Sequence, residues 1–425
     1  MNSLKIVCIV DAFSTGAELA SQFAPHGYQA VHVRSSQDVD NDLAATFRPK
    51  DFQAEAVFKG DMEPILSFIH KWNPLHVIAG TETGVILADQ LAATAGVAGN
   101  SPATSALRRN KYEMNEALRQ AGIPSVKQHC CFNKQEALLW VQDHHSWPVV
   151  AKPLDSAGTD DVYFCSTPAE LERACDRILY HNNRMGGYND RVLVQECLVG
   201  QQYFINAVSL NGQHRFTEIW KDTKVQVDGA GMICDREDLL TYEGPVQEQI
   251  IAYMSRVLDC LGVHEGASHS ELMFTANGPI LIESAARMQG TILHDALIAA
   301  TGESHVTSTA ERYLDPENFL TKIGKGYELR QYLSCITLAS HESGIVVANN
   351  VKDRVSSLPS FYAVFHTPEV GDKILRTVDL FSNPGIIYLL HENSDQVNRD
   401  YKQIREWEAA KVLFKVRSDV NVHAE

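Results

Sequence analysis

The stretch His269–Gly290, HSELMFTANGPILIESAARMQG, decides the reading of this chain, because it sets two carboxylates and an arginine on what looks like a pair of short strands. Asn277-Gly278-Pro279 is a turn signal between two apolar-rich runs. Proline cannot donate a ladder hydrogen bond, so a three-residue loop is expected, pairing Ala276 with Ile280. That register sets Thr275 opposite Leu281, Phe274 opposite Ile282 and Met273 opposite Glu283. Leu272, Phe274, Ile280 and Ile282 then share an apolar face, and Glu271 and Glu283 lie on the other as diagonal neighbours about 7–8 Å apart. Two carboxylates that close repel unless a cation lies between them, and a hard divalent ion such as Mg2+ suits oxygen donors. Arg287, just past the second strand, is placed to reach the anion such a metal carries. A surface hairpin with two solvated acids has the same local pattern, so the surrounding chain must decide.

Upstream, Tyr203–Leu210 and Arg215–Trp220 read as strands joined by Asn211-Gly212, a strong hairpin signal. Lys221, Asp222, Thr223 and Lys224 read as a polar loop, and Glu243–Leu261 as a long helix. Before these, RVLVQECLVGQQY (191–203) is an apolar strand that ends in Glu196, continues through an apolar segment and turns at Gly200. Such a segment offers adenine an apolar shelf with backbone hydrogen bonds and Glu196 for its amino group; an ordinary buried strand edge looks the same. Val149–Lys152 is a strand ending in a lysine, followed by the small-residue loop Leu154–Asp161 and a second strand, Val162–Cys165. Because this loop joins two strands, it is not a Walker-type phosphate loop, which opens a helix. Its Ser, Gly and Thr residues can still fold backbone N–H groups over phosphates, with Lys152 as the fixed charge.

Further out, Lys5–Val10 is an apolar run suited to a strand buried on both faces, and it leads into a helix near Ala17–Phe23. The loop between them lacks Gly-x-Gly-x-x-Gly, and Ser14 and Thr15 are expected to cap the helix. Ala30–Val33 and Leu75–Ala79 are further strands, the latter followed by Gly80–Gly84 and the helix Val85–Ala95. Alternating strands and helices imply an open, doubly wound α/β domain, whose ligands sit at the carboxyl ends of strands, where Glu82 falls. Ser101-Pro102 reads as a helix start and Ala121–Pro124 as a helix stop; between them Arg108, Arg109 and Lys111 form a basic cluster. After Gly302, strands at Leu329–Ser340, Ser343–Asn350, Phe361–His366, Gly385–Leu390 and Val412–Val416 with a helix at Ser394–Ala410 suggest a smaller α+β domain. His305, His341, His366 and His391 are scattered and read as core or surface residues.

A chain of 425 residues with 44% hydrophobic and 21% charged content is ordinary for a globular protein of two or three domains. The formal charge of −16 argues against nucleic-acid or membrane-surface binding as the main role, although a nucleotide still fits a locally basic cleft. Nine cysteines without any Cys-x-x-Cys suit reduced thiols. No apolar run approaches the roughly 18–20 residues that span a bilayer, and MNSLKIVCIVDAF lacks the basic region and cleavage site of a signal peptide, so a cytoplasmic protein is expected.

Four stretches in this order, GVAGNSPATSALRRNKYEMNEALRQAGIP, PVVAKPLDSAGTDDV, VLVQECLVGQQY and HSELMF…GPILIESAARMQG, resemble the ATP-grasp superfamily of carboxylate–amine ligases, and within it the L-amino acid ligases that make dipeptides. The likeness covers roughly residues 75 to 305. It implies an ATP-grasp fold of mixed α/β and α+β class, with an amino-terminal doubly wound domain over 1–105, a nucleotide-binding catalytic domain over 106–305 and an α+β domain over 306–425. It implies that Lys111 and Lys152 hold the ATP phosphates and that Ser156, Gly158 and Thr159 belong to the loop covering them. Glu196, Leu198 and Gln202 match the adenine and ribose segment, Glu271 and Glu283 the Mg2+ (or Mn2+) ligands, and Arg287 the arginine that steadies the phosphoryl group. His269 and Gly290 fall where such ligases contact their amino-acid substrate, and Glu82 is a further substrate candidate. Many members carry glutamate where this chain has Gln202 and asparagine where it has Ala285, which leaves the second metal's coordination open. The activity implied is amide formation through an acyl phosphate, with a place among antibiotic-pathway ligases of the dapdiamide type. An ATP-grasp carboxylase, a formyl-phosphate-type transferase and a non-catalytic nucleotide-binding protein are the rivals. Small amino-acid-like substrates and a homodimer are the expected partners.

Overall fold

Five of the six residues of the first strand, Lys5–Val10, are buried, as a strand inside a parallel sheet requires. In the computed structural model, which describes residues 4–144, 147–156, 160–183, 186–226, 232–378 and 382–418, the chain forms two compact units. One comprises residues Met1–Ile219, Tyr242–Ile292 and Glu303–Tyr327; the other comprises Trp220–Thr241, Leu293–Gly302 and Glu328–Glu425.

The first unit begins with a parallel sheet of β1 (Lys5–Val10), β2 (Tyr28–Arg34), β3 (Phe52–Val57) and β4 (His76–Ala79), in the order β3-β2-β1-β4. The Val85–Ala95 helix forms as expected, while β3, half-exposed and studded with polar residues, carries too weak an apolar signal to be seen beforehand. Ser14 and Thr15 do not cap a helix: Phe13 is the N-cap, with no side-chain hydrogen bond, and a 3-10 turn over Ser14–Glu18 precedes the helix Leu19–Phe23. The segment after Ser101-Pro102 is likewise a 3-10 helix, Pro102–Arg108; the α-helix Lys111–Gln120 starts only where the Asn110 side chain accepts from the amides of Tyr112 and Glu113.

Next comes an antiparallel sheet of β5 (Gln128–Cys131), β6 (Val149–Lys152), β7 (Tyr163–Cys165) and β8 (Val192–Glu196), ordered β5-β8-β6-β7. Helices Lys134–His144 and Pro168–Ile178 pack on it around Val149, Ala151, Val192, Val194, Trp140 and Leu171.

The following strands are β9 (Gly200–Leu210), β10 (Gln213–Gln226), β11 (Met232–Leu239), β12 (Gly266–Thr275) and β13 (Gly278–Ala285). In the first unit they run β13-β12-β9-β10. Gly200 pairs with Thr275, and a Cβ there would lie 2.2 Å from the Phe274 carbonyl oxygen, so only glycine lets β9 approach β12 at this point.

The β12–β13 register departs from expectation. Thr275 pairs with Gly278 around a tighter turn, with Gly278 at φ +102°, and Pro279 pairs with Phe274. Proline is tolerated here because β13 is an edge strand whose outer side needs no ladder donor. A register shift between Glu271 and Leu272, with Ile282 as the extra residue, then sets Glu271 directly opposite Glu283. The acids share a face as expected, but as direct partners rather than diagonal ones. The buried apolar pair is Leu272 with Leu281.

In the second unit β10 continues from Trp220 to Gln226, where a polar loop was expected. Lys221 pairs with Asp238 and Thr223 with Arg236 on β11, so cross-strand polar pairing supplies what apolar alternation does not. Strands β14 (Tyr332–Thr337), β15 (Gly344–Asn349), β16 (Phe361–His366), β17 (Lys373–Ile374), β18 (Ile386–His391) and β19 (Phe414–Arg417) complete two sheets, β10-β11-β14-β18-β16 and β17-β15-β19. The helix Ser394–Ala409 covers a core of Ile336, Leu338, Ile387, Leu389 and Ile404. Among the described residues no helix is long and apolar enough to cross a membrane.

Candidate active site

All the candidate side chains with described positions fall in the first unit. Lys152, the last residue of β6, is buried, and Lys111 opens the Asn110-capped helix. The Lys111 amide donates to the Leu154 carbonyl (2.8 Å), which ties the helix start to the loop after β6. Its ammonium lies 2.8 Å from Glu283 Oε2 and donates to the Ser156 carbonyl. Burial, with Lys111 nearby, lowers Lys152 to about 8 against the pull of Glu283 and Glu271. Lysines and carboxylates therefore form one electrostatic cluster. Ser156 donates its hydroxyl to Asp160 (2.6 Å); Gly158 and Thr159 lie outside the described residues.

Gln202 on β9 donates to Glu271 Oε2 at 3.0 Å, so the amide that replaces the familiar glutamate orients a carboxylate instead of repelling it. Glu196 is committed locally: its Oε1 accepts from the Lys127 amide (2.9 Å), and its own amide donates to the Lys127 carbonyl (2.9 Å). That bond ties Glu196, at the end of β8, to the backbone just before β5.

His269 stands directly opposite Asn206, and its Nδ1 bonds Asn206 Oδ1 at 2.8 Å, while Nε2 lies 3.8 Å from Glu271 Oε1. Asn206 donates to Glu218 (2.6 Å) and Gln289 (2.7 Å), and Glu218 also accepts from the His305 amide (2.7 Å). Burial lowers His305 to about 3, so it is a neutral member of this network. Asn206 and Glu218 escaped notice beforehand because a lone polar residue on an apolar strand says nothing about its cross-strand partners.

Glu82, in the turn after β4, accepts from Arg109 Nη1 on Oε1 (2.5 Å) and from Arg287 Nε on Oε2 (2.9 Å). Thr83 and Thr81 fasten this turn to the Asp11 carboxylate and carbonyl, respectively. Burial alone would raise Glu82, but the two guanidinium groups hold it at about 2. The basic cluster has divided roles: Arg108 is buried and donates to Asp89 (2.8 Å) and to the carbonyls of Ser101, Leu261 and Gly262, a structural role, whereas Arg109 and Lys111 enter the site. Gly290 is followed by Thr291, whose amide reaches Ser14 Oγ at 3.4 Å.

A model of the ATP-grasp domain matches residues 145–295. Over 418 residues the chain is 30% identical to dapdiamide A synthase of Enterobacter agglomerans, covering 96% of this chain and 97% of that one. The chain belongs to the ATP-grasp carboxylate–amine ligases. This ligase is also 23% identical over 237 residues to the L-arginine-specific L-amino acid ligase of Bacillus subtilis, covering 54% of this chain and 55% of that one. Its fold is similar to that of the L-amino acid ligase from Bacillus licheniformis, with a TM-score of 0.75, 16% identity and coverage of 99% and 100%. The chain is accordingly an ATP-dependent amide ligase, of a family that uses ATP and Mg2+.

Proposed function

We propose that this ligase joins the carboxylate of one amino-acid-like substrate to the amine of an amino acid through an acyl phosphate. A carboxylate oxygen attacks the γ-phosphorus of ATP, the bond from that phosphorus to the β,γ-bridging oxygen breaks, and ADP leaves. The amine nitrogen then attacks the acyl carbon, the carbon–oxygen bond to the phosphoryl group breaks, inorganic phosphate leaves, and the amine's proton passes to solvent. The observation that carries this reading is the facing pair Glu271 and Glu283 beside Lys111 and Lys152.

Facing carboxylates supply the hard oxygen donors that Mg2+ prefers, so these residues fit the ion. When bound, Mg2+ neutralises phosphate oxygens. Lys111 and Lys152 hold the phosphates, the segment from Ser156 through Gly158 and Thr159 covers them, and the backbone around Glu196 and Leu198 receives adenine, with Gln202 bracing Glu271. Arg287 steadies the transferred phosphoryl group, and His269 and Gly290 border the amino-acid substrates. Catalysis consists of positioning and charge neutralisation. The likeness to dapdiamide A synthase supports an antibiotic-type amide product, and that to the L-arginine-specific ligase supports an α-amino acid as one substrate. The test is a phosphate-release screen over pairs of amino acids with ATP and Mg2+, followed by mass measurement of the product. Amine-dependent release with a condensed product is expected; release driven by bicarbonate instead would replace amide formation with carboxylation.

A further inference from the structure

The Arg109–Glu82–Arg287 group contains two cations and one anion in a confined place. The three side chains are each only 14% exposed, so a surplus charge here is poorly screened by water. Glu82 gives one oxygen to each arginine, so it forms a two-pronged fork with neither. Arg287 spends Nη1 on the Met288 carbonyl (3.0 Å). Among the described residues, Glu82 is the acceptor that the Arg109 side chain reaches. A guanidinium carries five N–H donors, so Arg109 retains most of its capacity.

Further charged groups border this one. Lys111, whose charge is felt by Glu82, and Lys152 join the two arginines, while Glu271 and Glu283 join Glu82. Within the Arg109–Glu82–Arg287 group itself, two guanidinium groups share one carboxylate. Arg109 also holds a fixed position relative to the phosphate-side lysine, because Asn110 between them caps the helix that Lys111 opens.

We propose that Arg109 is a further substrate-binding residue, which with Arg287 forms a two-guanidinium site for the oxyanion of the acid substrate and of the acyl phosphate it becomes. Glu82 is the positioning residue that holds both arginines on one side of that site. The inference rests on the ligase reading above. It adds a second cation to the carboxylate's binding, where Arg287 was the only one foreseen. The phosphate displaced by the amine leaves from this place, so inorganic phosphate in the presence of MgADP is a direct probe of it.

Phosphate binding to the full-length protein with MgADP, followed by thermal shift, is expected to saturate in the wild type. It is expected to weaken roughly 10- to 100-fold in Arg109→Met, with Arg109→Lys between the two and the exposed-surface control Arg119→Met unchanged. With a productive amino-acid pair, Arg109→Met should raise KM for the acid substrate by a similar factor and leave KM for ATP and for the amine within about threefold. Wild-type phosphate affinity in Arg109→Met and Arg109→Lys, or no saturable binding in the wild type, overturns the proposal. So does a parallel rise in KM for ATP. Arg109-dependent phosphate binding without any amine-dependent turnover keeps the anion site and sinks the ligase substrates instead.

Discussion

In the β12–β13 hairpin Glu271 faces Glu283, and in the β10–β11 hairpin Asp222 faces Glu237; both ladders contain a register shift. The first pair is answered by Lys111 at 2.8 Å and the buried Lys152. The second has Lys224 at 3.5 Å from Asp222, and Cys335 directly opposite Glu237 on β14. Donor atoms of Asp222, Cys234 and Glu237 lie within 4.8 Å of one another. Burial, with Glu237 and Asp222 beside it, pushes the Cys234 thiol well above its usual value. A protonated thiol is a poor ligand. The two hairpins differ in where the answering charge comes from: Lys111 and the buried Lys152 reach the first pair from other elements, whereas Lys224 lies on β10 itself beside Asp222.

On the proposed assignment the contrast breaks most sharply at Arg287, which lies just past β13 and donates to Glu82, whereas Arg236 of the second hairpin is spent on Asp238. Arg287→Ala should lower turnover about 10³-fold while KM for ATP stays within about threefold, measured by steady-state phosphate release. Unchanged turnover would remove Arg287 from the chemistry. Next, Glu283→Gln should lower turnover roughly 100-fold and raise the Mg2+ concentration needed for half-maximal ATP cleavage, whereas Asp222→Asn should leave that concentration within about twofold. Equal shifts in both variants would erase the distinction between the hairpins.

A smaller effect concerns stability and pH at Glu82. Its carboxyl is held at about 2, below the ordinary 4.5, so the ionised form is favoured in the folded chain. A depressed carboxyl contributes stability that is complete above its unfolded value and is lost as pH falls through the folded one. The contribution is on the order of 3 kcal/mol. Glu82→Gln should therefore melt below the wild type at neutral pH by calorimetry, with the gap shrinking as pH falls from about 5 toward 2. A gap independent of pH would show that shape, not charge, holds the triad. Smallest of all, Cys234→Ser should move Tm by no more than about 3 °C, since serine can still accept the bond from Thr337 Oγ1.

Much of this was legible in the sequence. The order of lysine strand, small-residue loop, apolar segment and acidic hairpin carried the family, and the buried strands of both units announced themselves by composition. Other parts were not, three of them for distinct physical reasons. The turn at Asn277-Gly278-Pro279 admits more than one register, and only packing of Leu272 against Leu281 selects the one with Ile282 as the extra residue. The far half of β10 is stabilised by polar pairs that look like a loop. Arg108 and Arg109 are adjacent and identical in type, yet one supports the fold and the other meets Glu82, a difference set by partners distant in sequence.

The ion pair of Lys111 with Glu283 has a thermodynamic consequence on the proposed assignment. It joins the residue meant for phosphate to the residue meant for metal, so neither ligand meets a ready partner. A nucleotide that draws Lys111 away leaves Glu283 uncompensated and more avid for Mg2+, and Mg2+ on Glu283 frees Lys111 for the nucleotide. Reciprocal linkage then makes each ligand tighten the other, and the two are expected to load cooperatively.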